Sequence, residues 1–310
     1  MHRRRPMPPT LLRLATALLV SLAVTAAPAQ TTTGARRVLV VPIRYAGPPV
    51  GATEAAMEGY RYTLPKVTTA AIAPVMQEVA QWFARETYGV VALDVVLHPP
   101  LVLDQPAPGC DLRRIAQDVR AALSAAPPES AAAAPPGADG YAAHVYITTY
   151  SCWQSHGATS GNTSIMWNTY PDSPGKIAHE LGHAFGLEHS SVNGNVYGDG
   201  YDQMGTIYST LLHLSSLHKA ALGALRPLPC RDAVLRPLER YPDAIGCDRY
   251  FVEYRGDGTV AIYARAAIPS RYGPADIARV AVLEAGQRWT EGAYVFEHRG
   301  QGRIAVKTTR

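Results

Sequence analysis

The chain has no CxxC pair, no second long apolar run after its first thirty residues, no Lys/Arg cluster interleaved with aromatics, and no internal repeat. Each absence removes a class of protein. Without CxxC, a cysteine-ligated metal site is disfavoured. Without a second run near the ~20 residues of a bilayer span, a multi-span membrane protein is excluded. Without basic and aromatic patches there is no nucleic-acid partner to expect. What is present, 310 residues with 47% hydrophobic and 17% charged content, suffices for one sizeable core and a smaller appended unit.

The opening "MHRRRPMPPTLLRLATALLVSLAVTAAPAQ" places Arg3, Arg4, Arg5 and Arg13 ahead of an apolar run ending in Ala27, Pro28 and Ala29. That is the layout of a secretory signal peptide, residues 1–29, cut after Ala29. A retained membrane anchor is the alternative, and the run is short for one. Its removal takes four Arg and no acid, so the net charge falls from +4 to 0. The expected product is secreted, with the periplasm as another end point, has no stable membrane anchor, and is a monomer. The stretch between Gln30 and Arg36 is too short for an inhibitory pro-domain, so activity is expected without a further cut. Cys110, Cys152, Cys230 and Cys247 are an even set in an exported chain and allow three full pairings. Cys230 with Cys247 is favoured because both lie late in the chain, leaving Cys110 for Cys152.

Periodicity orders the elements. "RRVLVVPIRYAG" (36–47) reads as a buried strand. Ile72, Met76, Val79 and Phe83 recur at three and four, which predicts a helix over 68–87, and "YGVVALDVVL" (88–97) returns to strand character. A second amphipathic helix is expected over 111–126, with Ile115, Val119 and Leu123 on one face, then a Pro- and Ala-rich surface loop and a strand over 141–153. "SIMWN" is a short strand before "PDSPG" breaks the chain. A loop at 190–205 and a helix at 209–225 follow. Beyond a proline-punctuated boundary, "YFVEYRGDGTVAIYARA", "IARVAVLEAG" and "RIAVKTT" alternate as strands of a small β module. The organisation is therefore α/β (α+β), with a main domain at 30–228 and a β appendage at 229–310.

Residues 176–190 read "KIAHELGHAFGLEHS". On a helix His179 and His183 lie one turn apart on one face and can aim at a point about 2 Å from each. A straight helix would carry residue 189 away. Gly186, in the left-handed conformation that ends helices, would bring His189 round instead. Three neutral imidazoles leave one tetrahedral position for water, the layout of a catalytic rather than a structural Zn²⁺. Glu180 is then the candidate general base, taking a proton from water as it attacks a peptide carbonyl and passing it to the leaving amine. With 10 His, 26 Gly and 12 Glu, the five positions of HExxHxxGxxH arise by chance in roughly one such chain in 30,000.

"HELGHAFGLEH" resembles the extended zinc motif of the metzincin metallopeptidases, and "YGDGYDQMG" followed by "HLSSLHKAALGAL" looks like the gametolysin-like peptidases among them. "WFARETYGVVAL", "SIMWN" and "RYFVEYR" are similar to other parts of that family. The resemblance covers roughly 36–310 and is strongest in the centre. It implies a mixed twisted sheet, a long zinc-binding helix, and a turn carrying Met204 beneath the metal, with one catalytic zinc on His179, His183 and His189. It also implies that Ser164, Ile165, Met166 and Trp167 form an edge strand that pairs with an extended protein or peptide substrate. The sequence departs from some metzincins in having Thr206 two residues after Met204, where those have Tyr; Tyr208 is the nearest replacement.

Lesser features admit plainer readings. Asn193, Asn195, Asp199 and Asp202 could hold Ca²⁺, but their spacing fits no EF-hand and favours turn capping. His213 and His218 suit packing or capping better than a second metal. Asn162 begins an N-x-[ST] sequon. Three functions follow from these readings: a secreted zinc endopeptidase, a secreted zinc-binding or adhesion module that has lost activity, and a zinc amidase acting on cell-wall peptides. The intact Glu180 favours the first.

Overall fold

The computed structural model describes residues 35–48, 52–104, 112–125, 140–149, 165–168, 171–206, 208–268 and 275–309. The signal peptide expected at 1–29, the loop expected after 126 and the expected Cys110–Cys152 pairing, with Asn162 and Ser164, lie outside them. All of these described residues belong to one compact unit, Thr33–Arg310.

Strand β1 (Arg36–Tyr45) organises the first half of the chain. Its residues alternate between two faces, as a strand dictates. Val38 and Val40 enter one core, while Leu39, Val41, Ile43 and Tyr45 enter another. On one side β1 pairs first with β2 (Leu93–Leu97) and then with β3 (Leu101–Leu103); on the other it pairs with β4 (Ala143–Thr148), which pairs in turn with β5 (Ile165–Asn168). Each of these pairings among the described residues is parallel. Parallel neighbours need a crossover. Helices α1 (Glu54–Thr63) and α2 (Thr69–Glu86) carry the chain from β1 to β2, and α3 (Leu112–Ala125) carries it from β3 to β4.

Helix α2 begins where Thr68 accepts a hydrogen bond from the Ala71 amide, and it buries Ile72, Met76, Val79, Trp82 and Phe83 on one sheet face. Val119 and Leu123 of α3 cover the other face. Burial of each such side chain contributes about 1.5–3 kcal/mol relative to exposure. Helix α4 (Pro174–Ala184) packs beside α2 and β5. It has 11 residues, an ordinary length rather than a long one, because Pro174 starts it and Gly186 ends it.

Helix α1 was not expected from the sequence, and two elements are shorter than expected. Strand β2 starts at Leu93 rather than Tyr88, because Tyr88 and Gly89 take positive φ and turn the chain first. The helix expected over 209–225 is α5 (Ser216–Ala221). Ser215 caps it, and His213 ahead of it bridges to Asp202 in extended pairing.

The C-terminal region is all β. Strands β6 (Ser190–Ser191), β8 (Ala244–Cys247), β9 (Tyr250–Tyr254), β10 (Val260–Ile268) and β11 (Ala275–Leu283) form one sheet in the order β6-β11-β10-β9-β8. Strands β7 (Ala233–Val234), β12 (Arg288–Glu291), β13 (Tyr294–His298) and β14 (Arg303–Thr308) form a second, ordered β12-β13-β14-β7. Val252, Val260 and Ile262 meet Phe296 and Ile304 between the two sheets. On the opposite face Phe251, Ala261, Tyr263 and Ile277 pack against Leu217 of α5. Cys230 and Cys247 are disulfide-bonded, as favoured from their positions.

Candidate metal centre

Helix α4 carries His179 and His183 one turn apart, and its last turn closes as a Schellman motif. The Leu187 amide donates to the Gly182 carbonyl (2.9 Å) and the Gly186 amide to the His183 carbonyl (2.9 Å), with Gly186 at φ 87°. The chain reverses there and delivers His189. The Nε2 atom of His183 lies 3.2 Å from that of His179 and 3.1 Å from that of His189. Nitrogens about 2.1 Å from a tetrahedral ion stand ~3.4 Å apart, so this spacing fits one metal.

The outer ring nitrogens support the same reading. His179 Nδ1 lies 2.9 Å from the Gln203 carbonyl and His183 Nδ1 lies 2.7 Å from the Leu187 carbonyl. A carbonyl only accepts, so each Nδ1 carries the proton and each Nε2 turns its lone pair to the centre. Two lone pairs this close repel unless a cation lies between them. Burial first, then neighbouring His183, pushes the His179 imidazole down to about 3. Burial first, then His183 and His218, pushes His189 down to about 4, and burial lowers His183. All three are held neutral, the form that ligates metal.

Glu180 is buried beside His179 on α4. Met204 lies fully buried in the 3-10 turn Gln203–Gly205, with Sδ so close to α4 that a methyl on Gly182 would collide with it. The absent side chain at Gly182 thus seats the methionine under the histidine helix. The turn is fastened by Asp202, whose Oδ1 accepts the Met204 amide (2.9 Å), and by Gln203, whose side chain donates to the Gly175 carbonyl (2.9 Å) and accepts the Leu212 amide (2.7 Å).

Ile165, Met166 and Trp167 lie on β5, an edge of the parallel sheet among the described strands, in register with His144, Val145 and Tyr146. Tyr208 is 61% exposed, and its amide donates to Thr206 Oγ1. Of the four loop residues considered for Ca²⁺, Asp199 and Asp202 are buried and bound to protein donors, Asn195 accepts the Tyr197 amide, and Asn193 is exposed. That is turn capping. His213 Nδ1 faces Glu86 (3.2 Å), and His218 Nδ1 pairs with Asp202 (2.7 Å).

Sequence reasoning missed Gln203, whose carbonyl orients His179, and Tyr197, whose ring stands 4.9 Å from that of His189 and 6.2 Å from that of His179. Both lie in the segment between His189 and Met204. Its high content of Gly, Asn and Asp marked a loop, and nothing local marked its contacts.

Fold and site define an α/β chain with an all-β C-terminal region and a three-histidine cluster able to hold one metal ion. No protein-family model and no curated protein matches it. Among the described residues no helix is long and apolar enough to cross a membrane.

Proposed function

We propose that the chain is a secreted zinc-dependent endopeptidase of the metzincin type, related in plan to the gametolysin-like peptidases. The observation that carries this reading is the convergence of His179 and His189 Nε2 on that of His183, at 3.2 and 3.1 Å, two of the rings from α4 and the third from the chain beyond Gly186, with Glu180 buried on the same helix. His179, His183 and His189 would hold zinc, and Met204 would floor the site. Zinc bound there lowers the pKa of water towards about 7 and offsets negative charge growing on a carbonyl oxygen.

The chain's own residues do the rest. Glu180 accepts a proton from the attacking water and returns it to the leaving amine, which lets one carboxylate serve both halves of the hydrolysis. The Gln203 and Leu187 carbonyls fix the His179 and His183 tautomers, so neither ring must reorient to present Nε2. Strand β5, beside α4, offers main-chain groups that an extended peptide could pair with.

The test is to purify the exported chain, count zinc, and measure cleavage of unstructured protein with and without chelator. We expect one zinc per chain, and a Glu180→Gln variant that keeps the zinc while losing about 10²–10⁴-fold in rate. Wild type that binds zinc yet cleaves no faster than Glu180→Gln would instead favour the binding-module reading. Digestion of cell-wall peptides without cleavage of protein would favour the amidase.

A further inference from the structure

The three histidines are not held alike. His179 and His183 each donate through Nδ1 to a carbonyl, whereas His189 Nδ1 is buried and has no partner among the described residues. No hydrogen bond at Nδ1 orients the third ligand there, so its placement falls to the packed ring of Tyr197 and to the backbone that carries it. That backbone enters β6 at the next residue, Ser190, and β6 pairs in parallel with β11 in the C-terminal sheet, Ser190 opposite Ile277 and Ser191 opposite Ala278. Ser191 Oγ also donates to the Ile277 carbonyl (3.2 Å).

The next residue along β11, Arg279, reaches back into the loop. Its Nη1 lies 2.7 Å from Asp199 Oδ1. Asp199 is fully buried; its Oδ2 accepts Ser190 Oγ (3.0 Å), and its Oδ1 also accepts the Tyr201 amide (3.3 Å). A side chain at Gly205 would strike Asp199 and the Ser190 carbonyl, so Asp199 is wedged between the strand after His189 and the turn that carries Met204. A buried carboxylate needs a paired cation. Here the cation comes from the C-terminal sheet.

From this we infer that Arg279, acting through Asp199 and Ser190, is a positioning residue for His189, so that the C-terminal sheet forms part of the metal centre's frame. The inference rests on the metal-site reading of the three histidines. Removing Arg279 takes away the cation at ion-pair distance from Asp199 and leaves the charge of Arg255 as the remaining cationic influence, which loosens the Ser190 contact and with it one of the ties, beside the β6–β11 pairing, on the backbone that aims His189. His179 and His183 keep their own carbonyl partners. The expected lesion is therefore a site with two firm ligands and one loose one.

The experiment measures zinc affinity, by competition with a chromophoric chelator, and the visible spectrum of the cobalt(II)-substituted protein, which reports ligand geometry independently of activity. We expect Arg279→Ala to weaken zinc at least tenfold and to alter the cobalt spectrum, and Arg279→Lys, which restores the charge, to recover most of both. Arg236→Ala, which breaks an exposed ion pair with Asp243 in the same region, should change neither. Folded Arg279→Ala with zinc affinity within tenfold of wild type and an unchanged spectrum overturns the inference. Should Arg279→Ala fail to fold, Ser190→Ala, which removes one hydroxyl, decides: a threefold or greater loss of affinity with an altered spectrum supports the inference, and any lesser change overturns it. A wild-type chain that binds neither ion removes the metal-site reading itself, which distinguishes that failure from this one.

Discussion

Gly186 sits at φ 87° with no atom within 4 Å of where a Cβ would be, so the cost of any side chain there is conformational rather than steric. Gly186→Ala is expected to destabilise the fold by about 1–2 kcal/mol, the cost of forcing an L-residue into the left-handed region. Gly186→Asn should lose less, since Asn tolerates that region. Denaturant midpoints check the order, and equal midpoints for Ala and wild type would remove the geometric role given to this glycine. The four positions His179, His183, Gly186 and His189 were legible because helix period and a helix stop act within eleven residues. The carbonyls of Gln203 and Leu187, the ring of Tyr197, and the Asp199–Arg279 pair were not, because each is a contact whose partner is set by folding and leaves no local pattern.

At the scale of elements, the end of α2 is tied to α5 by a buried ion pair, Glu86 with Lys219 at 3.1 Å. Glu86 also accepts the Leu214 amide and faces His213. Burial alone would raise the Glu86 pKa, but the His213 hydrogen bond and the Lys219 charge outweigh it and hold the carboxyl below its ordinary value. A depressed folded-state pKa gives stability that is present above the unfolded value of about 4.3 and is lost as pH falls through the lower folded value. Stability should therefore drop in acid below about pH 4, and a Glu86→Gln/Lys219→Met double variant should lose less of its own stability over that range. Lys219→Met alone is expected to cost about 3–5 kcal/mol at pH 7, because it strands a buried carboxylate, while the double variant recovers most of it. Urea melts across pH test both, and a double variant as unstable as the single would show that the pair is not the tie. The helix over 68–87 was legible to within a residue at each end because amphipathic period and a Thr cap agree. The helix after Met204 was not: its apolar period continued past the point where His213 is drawn into pairing with Asp202, a competition between local propensity and a non-local bridge.

At the scale of the molecule, the strand alternation of the β module was legible, yet the two-residue strand β6 that its sheet takes from the segment beside His189 is too short to show any period. The parallel pairings of the described strands follow instead from the crossover helices, whose apolar periods were legible. These long-range ties bear on how the chain unfolds. Beyond β6, the Glu253 carboxylate of β9 accepts the Ser216 amide at the head of α5 (2.7 Å), and Lys219 and Tyr88 both donate to the Leu238 carbonyl. With the apolar contact of Leu217 against Phe251, Tyr263 and Ile277, the two halves share buried polar and apolar surface. Unfolding either half would expose it, so calorimetry should give a single endotherm rather than two. A bound ion that favours only the folded state stabilises by about 2.7 kcal/mol at a hundredfold excess over its Kd. Because one cooperative unit unfolds, chelator should move the whole endotherm down by several degrees, at roughly 2–4 °C for each kcal/mol. Two endotherms, of which chelator moved only one, would mean that residues 229–310 melt on their own and that the strand beside His189 gains nothing from the sheet it joins.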